Sequence, residues 1–494
     1  MNLKPILNQD DAQARMVDMH LPLSPMEARV EANRCLYCFD APCIHACPTG
    51  IDVPAFIRKI ASGNEASAAK TILEANILGA SCARICPTAV LCEGACVLKD
   101  RDEKPIEIGR LQRHATDFVT DRNIQVLHPC AELNGKRVAV VGSGPAGLGC
   151  AAELAQLGYH ATIFEKSKLP GGLNTYGIAY YKLKPEFAVA EARLVEQLGV
   201  EIRCGVHVGR DITIEQLRGE YDAIFLGLGL GHGNRLSIPG EELPEVFDAL
   251  HFIEQIHRHP LHTVAVGHQV IVIGGGNTAI DAAVQAMRLG ARRVTMVYRR
   301  GETEMSAYEF EYSKAQNDGV HFVFDSVATA VIDTDGHVGG VRIAKTRVSA
   351  HGTVETIPGS EFTIECDMVL KAVGQLKQVD TLRELVPHLA LETHGTIARN
   401  TLTGATNVPD IFVGGDCANG GREVVNAVGE GKKAAHGIHR FLMGQSAAHP
   451  VQSSRLGVSG SATAAGLHHP IRAHELEAEW VAKKSAQDKD AHHG

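Results

Sequence analysis

The chain has 494 residues, room for roughly three domains of ~150 residues, and its 45% hydrophobic and 21% charged content is that of an ordinary globular protein. A net charge of −9 with no basic block argues against nucleic-acid binding. No stretch approaches the ~18 apolar residues of a membrane span, and the opening MNLKPILNQDDAQ lacks the apolar run of a secretory signal, so a cytoplasmic chain with reduced thiols is expected.

Residues 1–125 are cysteine-rich and helical by pattern. Residues 25–33 and 54–60 each read as a short helix with proline near its start. Of 13 cysteines, eight fall between Cys35 and Cys96. The first run is Cys35-x2-Cys38-x4-Cys43-x3-Cys47-Pro48. The second is Cys82-x3-Cys86-Pro87, then Cys92-x3-Cys96. Thiolates suit iron–sulfur clusters and zinc alike. The spacings are less regular than paired zinc dyads, and Cys-Pro at the end of a run is a bacterial ferredoxin feature. Two [4Fe–4S] clusters are therefore expected ahead of structural zinc or inert thiols. Residues 100–133 read as a helix and then a linker.

From 134 to 443, β-branched runs alternate with helical periods, which predicts α/β architecture with parallel sheets. Lys136–Val141 reads as a buried strand entering Gly142-Ser143-Gly144-Pro145-Ala146-Gly147, with a helix over 148–157. The first glycine makes the turn, the second admits a pyrophosphate, and the third lets helix pack on strand. The next strand, 161–165, ends in Glu165, placed to accept from ribose hydroxyls. A second turn, Gly274-Gly275-Gly276-Asn277-Thr278-Ala279, follows the strand at 269–273 and precedes a helix to Leu289. Its next strand, 293–298, ends in Arg299 and Arg300. Guanidinium forks suit a 2′-phosphate, so the residues lean towards NADPH, although Glu302 and Glu304 stand nearby.

Two turns of different character imply two dinucleotides. One should be FAD, because a hydride donor cannot feed one-electron clusters without a flavin between them. Ile411–Val413 runs into Gly414-Gly415-Asp416. Asp416 is a candidate for the ribityl chain, and a helix over 424–432, with Val425 in its first turn, would aim its positive end at the flavin ring. Gly171-Gly172-Leu173 would pass close to the same ring. Residues 444–494 shift to Ala, Ser, Gly and His and read as a disordered tail. One transient helix, at 474–484, carries the only tryptophan, Trp480.

Pro42-Cys43 to Cys47-Pro48-Thr49-Gly50, Cys82-Ala-Arg-Ile-Cys86-Pro87, Ile108-Gly109-Arg110-Leu111-Gln112 and the two glycine turns resemble one known module. It is shared by electron-input subunits of bacterial dihydropyrimidine dehydrogenases, the amino-terminal half of the long eukaryotic enzyme, and the small subunit of glutamate synthase. The resemblance covers roughly residues 20–443. It implies one cluster on Cys35, Cys38, Cys43 and Cys96 and a second on Cys47, Cys86, Cys92 and Gln112, leaving Cys82 a non-ligand. It places Lys182 at the family's flavin-side arginine and inserts the nicotinamide domain in the FAD domain. The implied layout is a cluster domain at 1–125, an FAD domain at 134–252 and 366–443, and a nicotinamide domain at 253–365. The implied role is NAD(P)H oxidation. The family's bacterial pyrimidine enzymes use NADH, whereas Arg299 and Arg300 favour NADPH. Tyr37-Cys38-Phe39-Asp40-Ala41-Pro42-Cys43 is most similar to the pyrimidine-reducing type, and Tyr298-Arg299-Arg300 is similar also to the glutamate synthase small subunit. The chain has no room for the ~250 residues of an FMN barrel. Pyrimidine reduction would then fall to a separate FMN and iron–sulfur catalytic subunit, in a heterotetramer.

Overall fold

The computed structural model describes residues 3–349 and 352–444. The tail and its Trp480 helix lie outside the described residues. Among the described residues no helix is long and apolar enough to cross a membrane.

Short helices build the amino-terminal module, each started by local chemistry. Ser24 and Glu27 form a reciprocal capping box on Pro25–Ala32, with proline at the first position. The Asp52 carboxylate accepts from the Ala55 N–H at 3.0 Å to start Val53–Ala61, and Asn64 caps Glu65–Ala75. Gly79–Ile85 follows, then Ile108–Asp121 after a cysteine-bearing loop. Phe56, Ile57, Ile60, Ile72 and Leu111 are fully buried between these helices. Each such side chain contributes about 1.5–3 kcal/mol on leaving water.

The first α/β unit starts with β1 (Arg137–Val141), β2 (His160–Glu165), β3 (Glu201–Cys204) and β4 (Ala223–Leu226). The chain then builds β5 (Val246–Asp248), β6 (Gln269–Ile273), β7 (Arg293–Val297) and β8 (His321–Val323). Next come β9 (Ser326–Thr334), β10 (His337–Val348), β11 (Val354–Thr356), β12 (Phe362–Glu365) and β13 (Met368–Lys371). It returns to the first sheet with β14 (Ile411–Val413). The first sheet runs β14-β4-β1-β2-β3, the second β5-β13-β6-β7-β8, and all their pairings are parallel. The two passes between sheets pair with each other: Gly231 N–H donates to Leu376 O at 2.9 Å, and Leu376 N–H returns to His232 O at 2.8 Å.

Three expectations are corrected. The domain limits at 252/253 and 365/366 cut through the second sheet, because β5 and β13 both belong to it. These strands have only three and four residues, and nothing in so short an apolar run says which sheet it joins. Residues 326–365 are not part of a parallel sheet. β9, β11 and β12 pair antiparallel with β10. The helix read at 424–432 extends through Val424–Met443.

The amino-terminal segment crosses the molecule. Lys4 bridges to Val266, the Arg288 guanidinium donates to Val17 O at 2.9 Å, and Ala12 and Met16 are buried in the core of the second unit.

Candidate functional site: two thiol sets and two glycine turns

The eight thiols fall into two sets. Cys35, Cys38, Cys43 and Cys96 line one shallow hollow, walled by Val53, Pro54, Ile57 and Ile108. Burial pushes the Cys43 thiol up to about 12, with Cys35, Cys96 and Cys38 adding to it. Cys86 is raised first by the hydrogen bond its thiol shares with Cys82, which favours the protonated form, then by burial, with Cys47 and Cys92 close by. Crowded, desolvated thiols of this kind ionise when they gain a cationic metal centre. Among the described residues no three His, Cys, Asp or Glu side chains could share a single ion. A mononuclear zinc needs its donors about 2.3 Å from one point. Cys35, Cys38, Cys43 and Cys96 instead share the wall of one hollow, an arrangement compatible with a polynuclear cluster.

Gln112 is buried on the helix Ile108–Asp121, and its Nε2 donates to Gly79 O at 2.7 Å. The buried Cys82 sits beside Cys86, and its sulfur also accepts from Asn76 Nδ2 at 3.1 Å. The first set faces outward, where Phe39 is 80% exposed. The second set faces the first α/β unit. A Cβ on Gly429 would come within 2.8 Å of Pro48 O, and Lys432 Nζ donates to Ala75 O at 2.8 Å.

At the first glycine turn, a Cβ on Gly142 would stand 2.4 Å from Gly227 O, and one on Gly147 would stand 1.9 Å from Gly142 O. A Cβ on Gly144 would meet nothing within 4 Å. The turn is therefore tight at both ends and open in the middle, before the amino end of Pro145–Gln156. Glu165 is buried at the end of β2. Its Oε2 accepts from Ser143 N–H at 2.9 Å and Ser143 Oγ at 2.6 Å, and its Oε1 from Ser167 N–H at 2.7 Å. Gly172 and Gly415 close on the same spot. Cβ atoms there would lie 2.8 Å from Gly144 Cα and from the Ala146 Cβ respectively. Glu430 Oε2 holds the Gly415 N–H at 2.8 Å. Burial raises the Asp416 carboxyl, and Val425 is buried one helix start away. Leu173 begins the short helix Leu173–Tyr176. The residues nominated for one dinucleotide thus converge from three separate parts of the chain.

Lys182 is elsewhere engaged. Its ammonium pairs with Asp281 at 2.6 Å and Glu311 at 2.7 Å, both in the second unit and all three buried. Burial, opposed by Lys182, leaves the Glu311 carboxyl raised to about 7.

At the second turn Gly274 has φ 148°, and a Cβ on Gly275 would lie 2.4 Å from the Tyr298 ring. A strap crosses this turn. Ser306 Oγ and Ala307 N–H donate to Gly275 O, and Tyr308 N–H donates to Asn277 Oδ1 at 3.0 Å. Gly276 and Thr278 flank Asn277 at the amino end of the helix Asn277–Arg288. Tyr308 Oη then donates to Glu423 Oε1 at 2.6 Å, joining the strap to the amino end of Val424–Met443. Arg299 is exposed and Arg300 half-buried. Among the described residues neither has an ion-pair partner, and Arg300 Nε is buried without an acceptor. Glu302 and Glu304 do not neutralise them: Glu302 accepts from Tyr312 and Glu304 from the Gly301 N–H.

Sequence reading missed Glu191, Asp281, Glu311 and the 305–308 strap. One signal was available: the helix at 79–85 has no side-chain cap of its own, which calls for a cap from elsewhere.

The chain matches the model of dihydropyrimidine dehydrogenase domain II, 4Fe-4S cluster, over residues 12–124 and that of pyridine nucleotide-disulphide oxidoreductase over 136–431. It is 37% identical over 420 residues to the NAD-dependent dihydropyrimidine dehydrogenase subunit PreT of Salmonella typhimurium, covering 85% of this chain and 95% of that one. It is 34% identical to the glutamate synthase [NADPH] small chain of Halomonas elongata, covering 87% and 93%. Among solved structures, Mycobacterium tuberculosis FprA in complex with NADPH matches with a TM-score of 0.53 at 20% identity, over 63% of this chain and 85% of that one, a likeness of fold. The chain is thus an oxidoreductase of the pyridine nucleotide-disulphide oxidoreductase family, in the branch with an amino-terminal 4Fe-4S domain to which the PreT subunits and glutamate synthase small chains belong.

Proposed function

We propose that this chain is the NAD(P)H-oxidising, electron-input subunit of a heteromeric dihydropyrimidine dehydrogenase. Uracil or thymine would be reduced on a partner FMN and iron–sulfur subunit of the PreA type. The first glycine turn, Gly142 to Gly147, would hold FAD, which when bound would supply the change from two-electron hydride acceptance to one-electron release. The chain's own part is to hold and order the carriers. Gly144 leaves its Cα bare for a pyrophosphate, the amino end of Pro145–Gln156 offers its N–H groups, and Gly172 and Gly415 shape the adjoining wall. The second turn would hold the nicotinamide dinucleotide, with Arg299 and Arg300 free for a 2′-phosphate, which favours NADPH.

The observation that carries the reading is the order of the thiol sets. Pro48, next to Cys47, meets Gly429 of the first α/β unit, and the helix that ends at Cys86 is capped by that unit's Glu191, whereas Cys35, Cys38, Cys43 and Cys96 line a separate hollow beside the loop that bears the exposed Phe39. This supports two [4Fe–4S] clusters in series, the outer one delivering electrons to the partner. Anaerobically purified chain mixed with its FMN partner should oxidise NADPH only when uracil or thymine is added; a pair that leaves both pyrimidines untouched sinks the reading. The unpaired Arg299 and Arg300 favour a second reading, a glutamate-synthase-type donor. In that case a glutamine-using partner and 2-oxoglutarate replace the pyrimidine in the same assay.

A further inference from the structure

We propose that Glu191 is a positioning residue for electron transfer: by capping the helix that carries Cys86 it fixes the second cluster against the first α/β unit. The proposal rests on the functional reading above and adds a residue to it.

Glu191 belongs to the first unit, on the helix Pro185–Gln197, and is 2% exposed. Its Oε1 accepts from Ala80 N–H at 2.8 Å and Ser81 N–H at 3.0 Å, and its Oε2 accepts from Ser81 Oγ. These donors open the helix Gly79–Ile85, whose own cap position is Leu78, with no side chain to accept a hydrogen bond. A helix start leaves N–H groups unsatisfied, and a buried start requires a partner. The partner here is a carboxylate from another domain, set at the positive end of the helix.

The same two helices meet again one turn on. The Arg84 guanidinium lies 4.0 Å over the Phe187 ring and pairs with Asp117 at 2.6 Å. The short helix then ends at Cys86, whose N–H is bonded to Cys82 O at 3.0 Å. A displacement at Ala80 and Ser81 is therefore passed rigidly to the ligand at the other end. Burial of a carboxylate here is costly, and it is retained at the contact where cluster module and first unit must keep a fixed separation.

The test uses the full-length, flavin- and cluster-loaded protein under anaerobic conditions. NADPH is mixed in a stopped-flow instrument, and flavin bleaching is followed separately from the slower cluster bleaching. Glu191→Leu is expected to slow cluster reduction about tenfold or more and to alter the electron paramagnetic resonance signal of the second cluster, with flavin bleaching within about twofold of wild type. Glu191→Gln, which keeps shape and one carbonyl oxygen, is expected to restore most of the rate. Ser81→Ala removes one donor and is expected to slow cluster reduction roughly threefold, so the test survives if Glu191→Leu does not accumulate. The proposal is overturned if cluster reduction is unchanged in Glu191→Leu or Ser81→Ala, or if Glu191→Gln is as slow as Glu191→Leu. It is also overturned if flavin bleaching slows as much as cluster bleaching. A wild-type protein whose clusters stay oxidised after its flavin bleaches refutes the functional reading instead.

Discussion

Single residues divide into those that let the chain fold and those that leave room for a ligand, and the glycine turn separates the two. A side chain at Gly147 collides with Gly142 O, whereas one at Gly144 meets nothing. Gly147→Ala should therefore lower the melting temperature or abolish soluble protein. Gly144→Val should melt like flavin-free wild type and fail to retain flavin, read from absorbance after purification. A Gly144→Val protein that keeps stoichiometric flavin would remove this turn from the dinucleotide site. Lys182→Met leaves Asp281 and Glu311 buried without their cation. Breaking such a group by removing one partner costs about 3–5 kcal/mol, measurable as a drop in denaturant midpoint. Glu191 and Glu311 also set a pH dependence, since burial raises each to about 7. Raised above an unfolded value of ~4.3, each contributes stability that is complete below that pH and lost as pH rises through about 7. Stability in urea should fall between about pH 5 and 8, and Glu191→Gln with Glu311→Gln should flatten that slope. Glu153, held down to about 2 by Lys432 and His436 against its own burial, acts in the opposite window, with stability lost as pH falls towards about 2. At this scale the sequence displayed the glycines and cysteines, because tight turns and soft ligands need those residue types. It did not display Glu191 or Glu311, because a carboxylate buried by a distant segment looks in one dimension like any solvated acid.

Elements that announce themselves by local chemistry stand where the sequence reading put them. The helices Pro25–Ala32 and Val53–Ala61 have their caps and prolines written beside them. β1 and β6 are apolar runs that end in glycine. Strands defined only by distant partners were illegible: β13 joins the second sheet through β6 and β5 joins it through β13, and two of β10's three antiparallel neighbours, β11 and β12, come from later in the chain. The end of β7 is the element that tests cofactor choice. Replacing Arg299 and Arg300 with serine should raise the KM for NADPH about 10²-fold, at roughly tenfold per lost charge-assisted contact, and leave that for NADH nearly unchanged. Equal effects on both dinucleotides would mean the pair does not read a 2′-phosphate. The thiol sets are separable in the same way. Cys43→Ala and Cys86→Ala should each remove about half the iron and acid-labile sulfide, and the double variant nearly all of it.

The whole molecule holds its second α/β unit at more than the paired crossing. The Lys182 cluster ties it to the first unit, the 305–308 strap ties its glycine turn to Glu423, and the amino-terminal segment packs into its core. Deleting residues 3–17, which spares the Asp18 pair with Arg113, should expose Arg288 and the surface that Ala12 and Met16 cover, and so speed amide exchange in the second unit while the cluster module keeps its protection. Equal protection before and after deletion would show that the segment contributes nothing to docking. The amino-terminal crossing also decides what a reporter group would see. A fluorophore at Lys4 rides with the second unit, although the helices from Pro25 to Asp121 belong to the cluster module, and one at Phe39 rides with that module. Energy transfer between these two positions, close in the gene yet fixed to different bodies, would read their relative movement during turnover with no label near either dinucleotide.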